Sequence, residues 1–154
     1  MIYISRYTDY ALRVVLDLAA MKPGAGARIR EIAARQHVPS AVARRVVARL
    51  VSAGVVASTR GIRGGVRLAK PAGAISVWDV VTIFEGNAAL NRCVEDPRVC
   101  PLTPTCAAHR VWVATRRRLR TWLRAVRFDT LARSSRLPRT RGARGRLHGR
   151  GDKR

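Results

Sequence analysis

All three cysteines of this 154-residue chain, Cys93, Cys100 and Cys106, fall within fourteen residues, CVEDPRVCPLTPTC, at the spacing Cys-x6-Cys-x5-Cys. Pro97, Pro101 and Pro104 lie in the same stretch. It therefore cannot be a helix interior, and it reads as a stiff loop that holds three thiols close together. Thiolates bind soft or borderline metals: zinc, copper or iron–sulfur clusters. An odd, clustered set of cysteines in a reducing compartment points to metal or redox chemistry rather than to a disulfide framework. Three thiolates leave a fourth position open. His109, at Cys106-x-x-His109, could complete a Cys3His zinc site. A histidine or a carboxylate could equally complete a cluster, whose usual ligands are four cysteines. Structural zinc sites usually carry close cysteine pairs, which these gaps lack. The spacing thus favours a cluster over zinc, bare redox thiols or inert cysteines. Glu95, Asp96 and Arg98, in the first gap, read as solvated loop charge.

Charge sets the class of partner. Lys and Arg number 31 against 9 Asp and Glu, a net +22, which favours a polyanion. From Arg133 to Arg154 nine basic residues and one acid, Asp152, make +8, leaving +14 on the body. A solvated face, or a genome that favours arginine, gives the same composition, so the motifs must decide. The length suits one domain, and 47% apolar residues suffice for a core. No apolar run is long enough to span a bilayer. The N-terminus has no basic region before its apolar part, and Asp9 and Asp17 interrupt it, so it is not a signal peptide. We expect a cytoplasmic protein without membrane attachment.

The elements that must position the cysteines are mainly helical. Tyr7, Ala11, Val14, Val15 and Leu18 fall on one face of a predicted helix over residues 5–21. A second helix over 29–36 turns Ile29, Ile32 and Ala33 inward. After a tight turn at His37-Val38-Pro39, a third helix runs from Ser40, a good N-cap, to Ala53, with Gly54 as its stop. Ala43, Val46, Val47 and Leu50 form its inner face. Ser40, Arg44, Arg45 and Arg49 form its outer face. Two helices joined by a short turn, the second with an Arg-rich outer face, make a helix-turn-helix, whose second helix enters the major groove. The alternative is a plain helical hairpin with a solvated arginine face. The next segment favours DNA. Residues 55–59 and 66–69 read as strands around Arg60-Gly61-Ile62-Arg63-Gly64-Gly65, a β-hairpin wing with Arg60 and Arg63 at its tip. A phosphate-cradling nucleotide loop is rejected, because a strand and not a helix follows the glycines.

A fourth helix begins at Ser76, which with Asp79 forms a capping-box pattern. Trp78, Val80, Val81, Ile83 and Phe84 supply core bulk, and Gly86 ends it. After the cysteine loop a helix is predicted from Ala107 to about Phe128. Ala108, Trp112, Thr115, Leu119, Trp122 and Val126 recur at steps of four and three, as in a coiled-coil seam. Pairing with a second copy would bury this stripe, as would packing on the chain's own domain. A two-fold dimer suits palindromic half-sites. The fold expected is mainly α with a small β-hairpin wing. Its parts are a winged helix-turn-helix over 1–86, a cysteine loop over 87–106, a dimerisation helix over 107–131, and a disordered basic tail over 132–154 that adds nonspecific DNA affinity.

These residues carry a resemblance. Tyr7-Thr8-Asp9-Tyr10-Ala11-Leu12-Arg13, the run Arg60-Gly61-Ile62-Arg63-Gly64-Gly65-Val66-Arg67-Leu68-Ala69-Lys70-Pro71, and three cysteines before a long helix resemble the Rrf2-type winged-helix regulators over residues 1–131. Within them, Thr8-Asp9-Tyr10 and Cys100-Pro101-Leu102-Thr103-Pro104-Thr105-Cys106 look like the nitric-oxide-sensing NsrR branch, with the cluster-assembly IscR branch second. The resemblance implies a homodimer, double-stranded promoter DNA as partner, nitric oxide as signal, and an iron–sulfur cluster (4Fe–4S or 2Fe–2S) on each subunit. Cys93, Cys100 and Cys106 would be its thiolate ligands. The fourth ligand would be Asp9 of the partner in the NsrR manner, which we favour, or His109 in the IscR manner. The chain departs from the family in its longer first cysteine gap, in Val42-Ala43-Arg44-Arg45 where members often carry His-Leu-x-Lys, and in its Arg/Gly tail. The function expected is a transcriptional regulator, most simply a repressor. The alternatives are an IscR-like regulator of iron–sulfur or redox status and a zinc-stapled constitutive repressor. No triad or paired carboxylates with supporting context occur, and only His37, His109 and His148 are histidines, so we do not expect an enzyme. A basic RNA-binding protein would fit the charge but not the winged-helix order.

Overall fold

Ser5 opens the first helix, α1 (Arg6–Ala19), its side chain accepting a hydrogen bond from the Thr8 amide at 3.3 Å. This is seen in a computed structural model that describes residues 4–59, 64–86 and 89–134. Ala11, Val14, Val15 and Leu18 are buried as their spacing predicts. Tyr7 is not, at 40% exposure; Thr8 takes the inward position at that end of α1. α2 (Ile29–Arg35) and α3 (Ser40–Ser52) follow, joined through His37 in the left-handed region, φ 52°. Pro39 holds the capping position of α3, so Ser40 is its first helical residue and makes no cap. Ala43, Val46, Val47 and Leu50 are buried, and Gly54, φ 68°, ends the turn beyond α3.

The strands β1 (Val56–Thr59) and β2 (Gly65–Leu68) pair antiparallel, Val56 opposite Leu68 and Thr59 opposite Gly65. Ala27 extends this sheet by exchanging both backbone bonds with Val66, at 2.9 and 3.0 Å. The approach is so close that a Cβ on Gly65 would lie 2.8 Å from the Ala27 carbonyl oxygen. The wing is thereby fixed to the segment before α2. Its tip, with Arg60 and Arg63, lies outside the described residues.

α4 (Val77–Glu85) starts with the expected capping box: the Asp79 amide donates to Ser76 Oγ at 3.2 Å, and the Ser76 amide to Asp79 Oδ2 at 2.8 Å. Trp78, Val80 and Val81 are buried beneath it. α5 (Arg92–Glu95) is a single turn, and α6 (Ala107–Ala125) is the long helix. α6 stops earlier than its sequence suggests. Val126 is extended, and the chain pairs with the segment before α4: the Val77 amide donates to the Val126 carbonyl at 3.0 Å, and Phe128 to that of Ile75 at 3.1 Å. α7 (Phe128–Ser134) then packs against α1, with Phe128 only 1% exposed. It runs past the expected start of the tail; residues 135–154 lie outside the described residues.

The continuous apolar stripe expected along α6 is divided. Leu123 is buried, Trp112, Leu119 and Val126 are half-buried, and Ala108, Thr115 and Trp122 point to solvent. The seam lies on the shoulder of the face that α6 lays on α4 and α5, and an α-helix drifts against a strict heptad. One core runs through the molecule: Val14, Val46, Leu50, Val80, Leu123 and Phe128 belong to the same cluster. Among the described residues no helix is long and apolar enough to cross a membrane.

Candidate metal centre and nucleic-acid interface

Prolines and nested turns shape the cysteine segment. Asp96 accepts from the Arg98 amide at 3.0 Å and caps a short 3-10 turn, Pro97–Val99, with proline at the start, where its missing N–H costs nothing. The same carboxylate pairs with the exposed Arg98 guanidinium at 2.9 Å. That hydrogen bond holds Asp96 below the ordinary carboxylate range and raises Arg98. These charges do more than solvate the loop, because they fix its first turn. Beyond Cys100 the chain curls again: the Thr103 amide donates to the Cys100 carbonyl at 3.1 Å, and the Cys106 amide to that of Leu102 at 2.8 Å.

Cys106 then caps α6, its sulfur accepting from the His109 amide at 3.4 Å. Unpaired N–H groups at a helix start suit an anionic sulfur. One turn into α6, His109 Nδ1 lies 3.4 Å from Cys93 Sγ. His109 is therefore bonded to two of the three cysteines, through its backbone to Cys106 and through its ring to Cys93. Cys93, Cys100 and Cys106 are all half-buried, and no disulfide joins them. Among the described residues no three or more His, Cys, Asp or Glu are gathered around one point as an ion would need. Asp9 is instead paired with Arg13 at 2.8 Å on the α1 surface, both side chains about half exposed.

Does this donor set fit an iron–sulfur group? Three thiols and an imidazole on one loop and one helix start are the right chemistry. One further atom bears on the fit. The Thr103 hydroxyl, between Cys100 and Cys106, is buried without any hydrogen-bond partner. An orphaned buried hydroxyl costs about 1–3 kcal/mol, and a sulfur acceptor beside it would relieve that cost. The residues fit.

The second functional surface is the outer side of α3. Ser40, Arg44 and Arg45 are exposed there. Arg49, expected beside them, folds back: its guanidinium donates to the Ile83 carbonyl of α4 and lies 4.6 Å from the Phe84 ring centroid. Sequence reading passed over a cleft of about 600 Å³ between α2 and the wing, lined by Arg28, Glu31, Thr59 and Arg67. Arginines outside the recognition helix gave no local signal of it. It also passed over two buried or half-buried acids. Asp17 accepts from Arg35 at 2.6 and 3.0 Å and from Gln36 at 2.9 Å, and this bonding raises Arg35. Glu85 Oε1 accepts from the Ser5 amide at 3.0 Å, from Ser5 Oγ at 2.5 Å and from the Thr8 hydroxyl.

The arrangement has relatives. Residues 4–134 match the Rrf2 family, described as iron-dependent transcriptional regulators. The chain is 35% identical over 130 residues to the HTH-type transcriptional regulator NsrR of Geobacillus kaustophilus (strain HTA426), covering 84% of this chain and 86% of that protein. It is similar in fold to CymR, the global cysteine regulator of B. subtilis, with a TM-score of 0.73 at 24% identity over 88% of this chain and 99% of that one. It is similar in fold also to T. potens IscR, with a TM-score of 0.70 at 23% identity over 91% and 93%.

Proposed function

The chain belongs to the Rrf2 family of transcriptional regulators, and from that premise we propose that it is a promoter-binding repressor. On this reading an iron–sulfur cluster sets its DNA affinity, and nitric oxide relieves repression. Regulators of this family bind DNA and are commonly dimeric, and they are not enzymes. The finer reading rests on one observation: the His109 amide reaches Cys106 Sγ and its ring reaches Cys93 Sγ, each at 3.4 Å, with Cys100 on the same curled loop.

Cys93, Cys100 and Cys106 would hold the cluster, which when bound supplies iron that nitric oxide can ligate. The chain's own residues do the rest. Asp96 and the nested turns hold the loop's shape. α6 joins the loop to the core through Leu119 and Leu123. For the fourth ligand the geometry favours His109 within one chain. Asp9 could serve only from a second copy, after releasing Arg13. A second copy has a face to cover, because Val111 and Trp122, three turns apart on one side of α6, are 58% and 64% exposed. Ser40, Arg44 and Arg45 would read the major groove, and Arg60 and Arg63 would reach phosphates.

The test is iron and acid-labile sulfide content after anaerobic purification. Cys93→Ala, Cys100→Ala and Cys106→Ala should each lose most of both. His109→Ala should lose more than Asp9→Ala if the ligand is intrachain, and the order reverses if it comes from the partner. Zinc in place of iron and sulfide in the wild type would make the loop a structural staple.

A further inference from the structure

Arg49 sits exposed on the last turn of the recognition helix, as Arg44 and Arg45 are exposed before it, yet its guanidinium turns to α4. It donates to the Ile83 carbonyl and stacks over Phe84. The next residue, Glu85, is held by Ser5 and Thr8 at the start of α1. Gly86, at φ 62°, then ends α4. Three successive residues at the end of α4 are thus gripped from two sides: Ile83 and Phe84 by the recognition helix, and Glu85 by the helix that carries Asp9. The first cysteine, Cys93, stands eight residues after Glu85.

We propose that Arg49 is a positioning residue that carries the state of the cysteine loop to the recognition helix, and not a DNA contact. The proposal rests on the cluster-controlled reading above. A shift of the loop pulls on the end of α4, and α3 follows because Arg49 ties the two. The chemistry needs arginine. A planar guanidinium can stack on an aromatic ring and donate to a carbonyl at once, whereas the compact ammonium of lysine cannot do both. Arg44 and Arg45, a turn earlier and exposed, remain for DNA.

Salt dependence separates the two roles. A phosphate contact releases counterions, so losing one should lower the slope of log affinity against log salt by about 0.9. The probe is a duplex selected by the wild-type protein from a random-sequence pool. Binding is measured anaerobically across a salt series, on protein as purified and after chelation. For Arg49→Lys and Arg49→Ala alike we expect roughly tenfold weaker binding, an unchanged slope, and a smaller difference between loaded and stripped protein. Phe84→Leu, which leaves every charge in place, should reproduce that smaller difference. Arg44→Ala should lower the slope. Arg49→Lys with wild-type affinity, together with Arg49→Ala at a slope lower by about 0.9, would overturn the proposal. So would a wild-type response from a folded Phe84→Leu. Wild-type protein that binds equally with and without metal would remove the regulatory reading itself, and the coupling role with it. The slope would still tell whether Arg49 meets phosphate.

Discussion

The unpaired hydroxyl of Thr103 gives the cysteine loop a signature at the scale of one residue. It is buried and unsatisfied between two proposed ligands. Thr103→Val keeps the shape and removes the orphan. In metal-stripped protein this should raise stability by about 1 kcal/mol, measured by chemical denaturation, because an unsatisfied buried polar atom is lost. In loaded protein it should speed loss of iron to a chelator, because a donor to sulfur is lost. A Thr103→Val protein that retains iron as well as wild type would place the hydroxyl outside the cluster's surroundings. His109 teaches a related lesson. Its spacing from Cys106 made it a candidate in the sequence; its ring contact with Cys93, sixteen residues earlier, depends on how the loop closes, which spacing does not encode.

The clasp between α1 and α4 gives a pH prediction at the scale of elements. Burial pushes the Glu85 carboxyl up, but the hydrogen bonds from Ser5 and Thr8, with the nearby Arg49 charge, outweigh it and hold the group below the ordinary range. A depressed folded value means that the clasp stabilises fully above the ordinary carboxylate range, about pH 4. The contribution disappears as pH falls through the lower folded value. Thermal melts between neutral and acid pH should show wild type losing more stability than Glu85→Gln over that interval, with the two curves converging at low pH. Parallel curves would deny Glu85 this role. The helix-turn-helix, the wing strands and the capping box of α4 were legible because each is written in a local pattern of a few residues. The clasp was not, since Ser5 and Glu85 stand eighty residues apart. The early end of α6 was hidden for the same reason: residues 126 and 127 leave the helix, and 126–128 pair with 75–77, about fifty positions upstream. The contact of Arg49 with Phe84 was hidden as well, because a helical wheel places Arg49 beside Arg45 and says nothing of α4.

At the scale of the whole molecule, one core joins the DNA-reading helices to α6 and α7, so the parts named from sequence do not fold around separate centres. The outward side of α6 is uncovered, and Trp122, 64% exposed, stands on it. A large aromatic side chain in the open suits an interface between copies. Trp122→Glu should shift the protein from dimer to monomer in sedimentation equilibrium and weaken binding to a palindromic duplex by tenfold or more, while leaving circular dichroism unchanged. A Trp122→Glu protein that stays dimeric would move the interface elsewhere. The surplus of +14 on the body predicts strong salt dependence for all DNA binding, so these comparisons belong at one fixed ionic strength.

We propose that the cysteine loop holds a nitric-oxide-responsive cluster that controls the promoter. An anaerobic ultraviolet–visible titration with nitric oxide tests it most directly, with DNA binding followed on the same samples. The purified protein should show visible charge-transfer absorption that bleaches in step with release of the duplex. A colourless protein that holds its duplex throughout would contradict it.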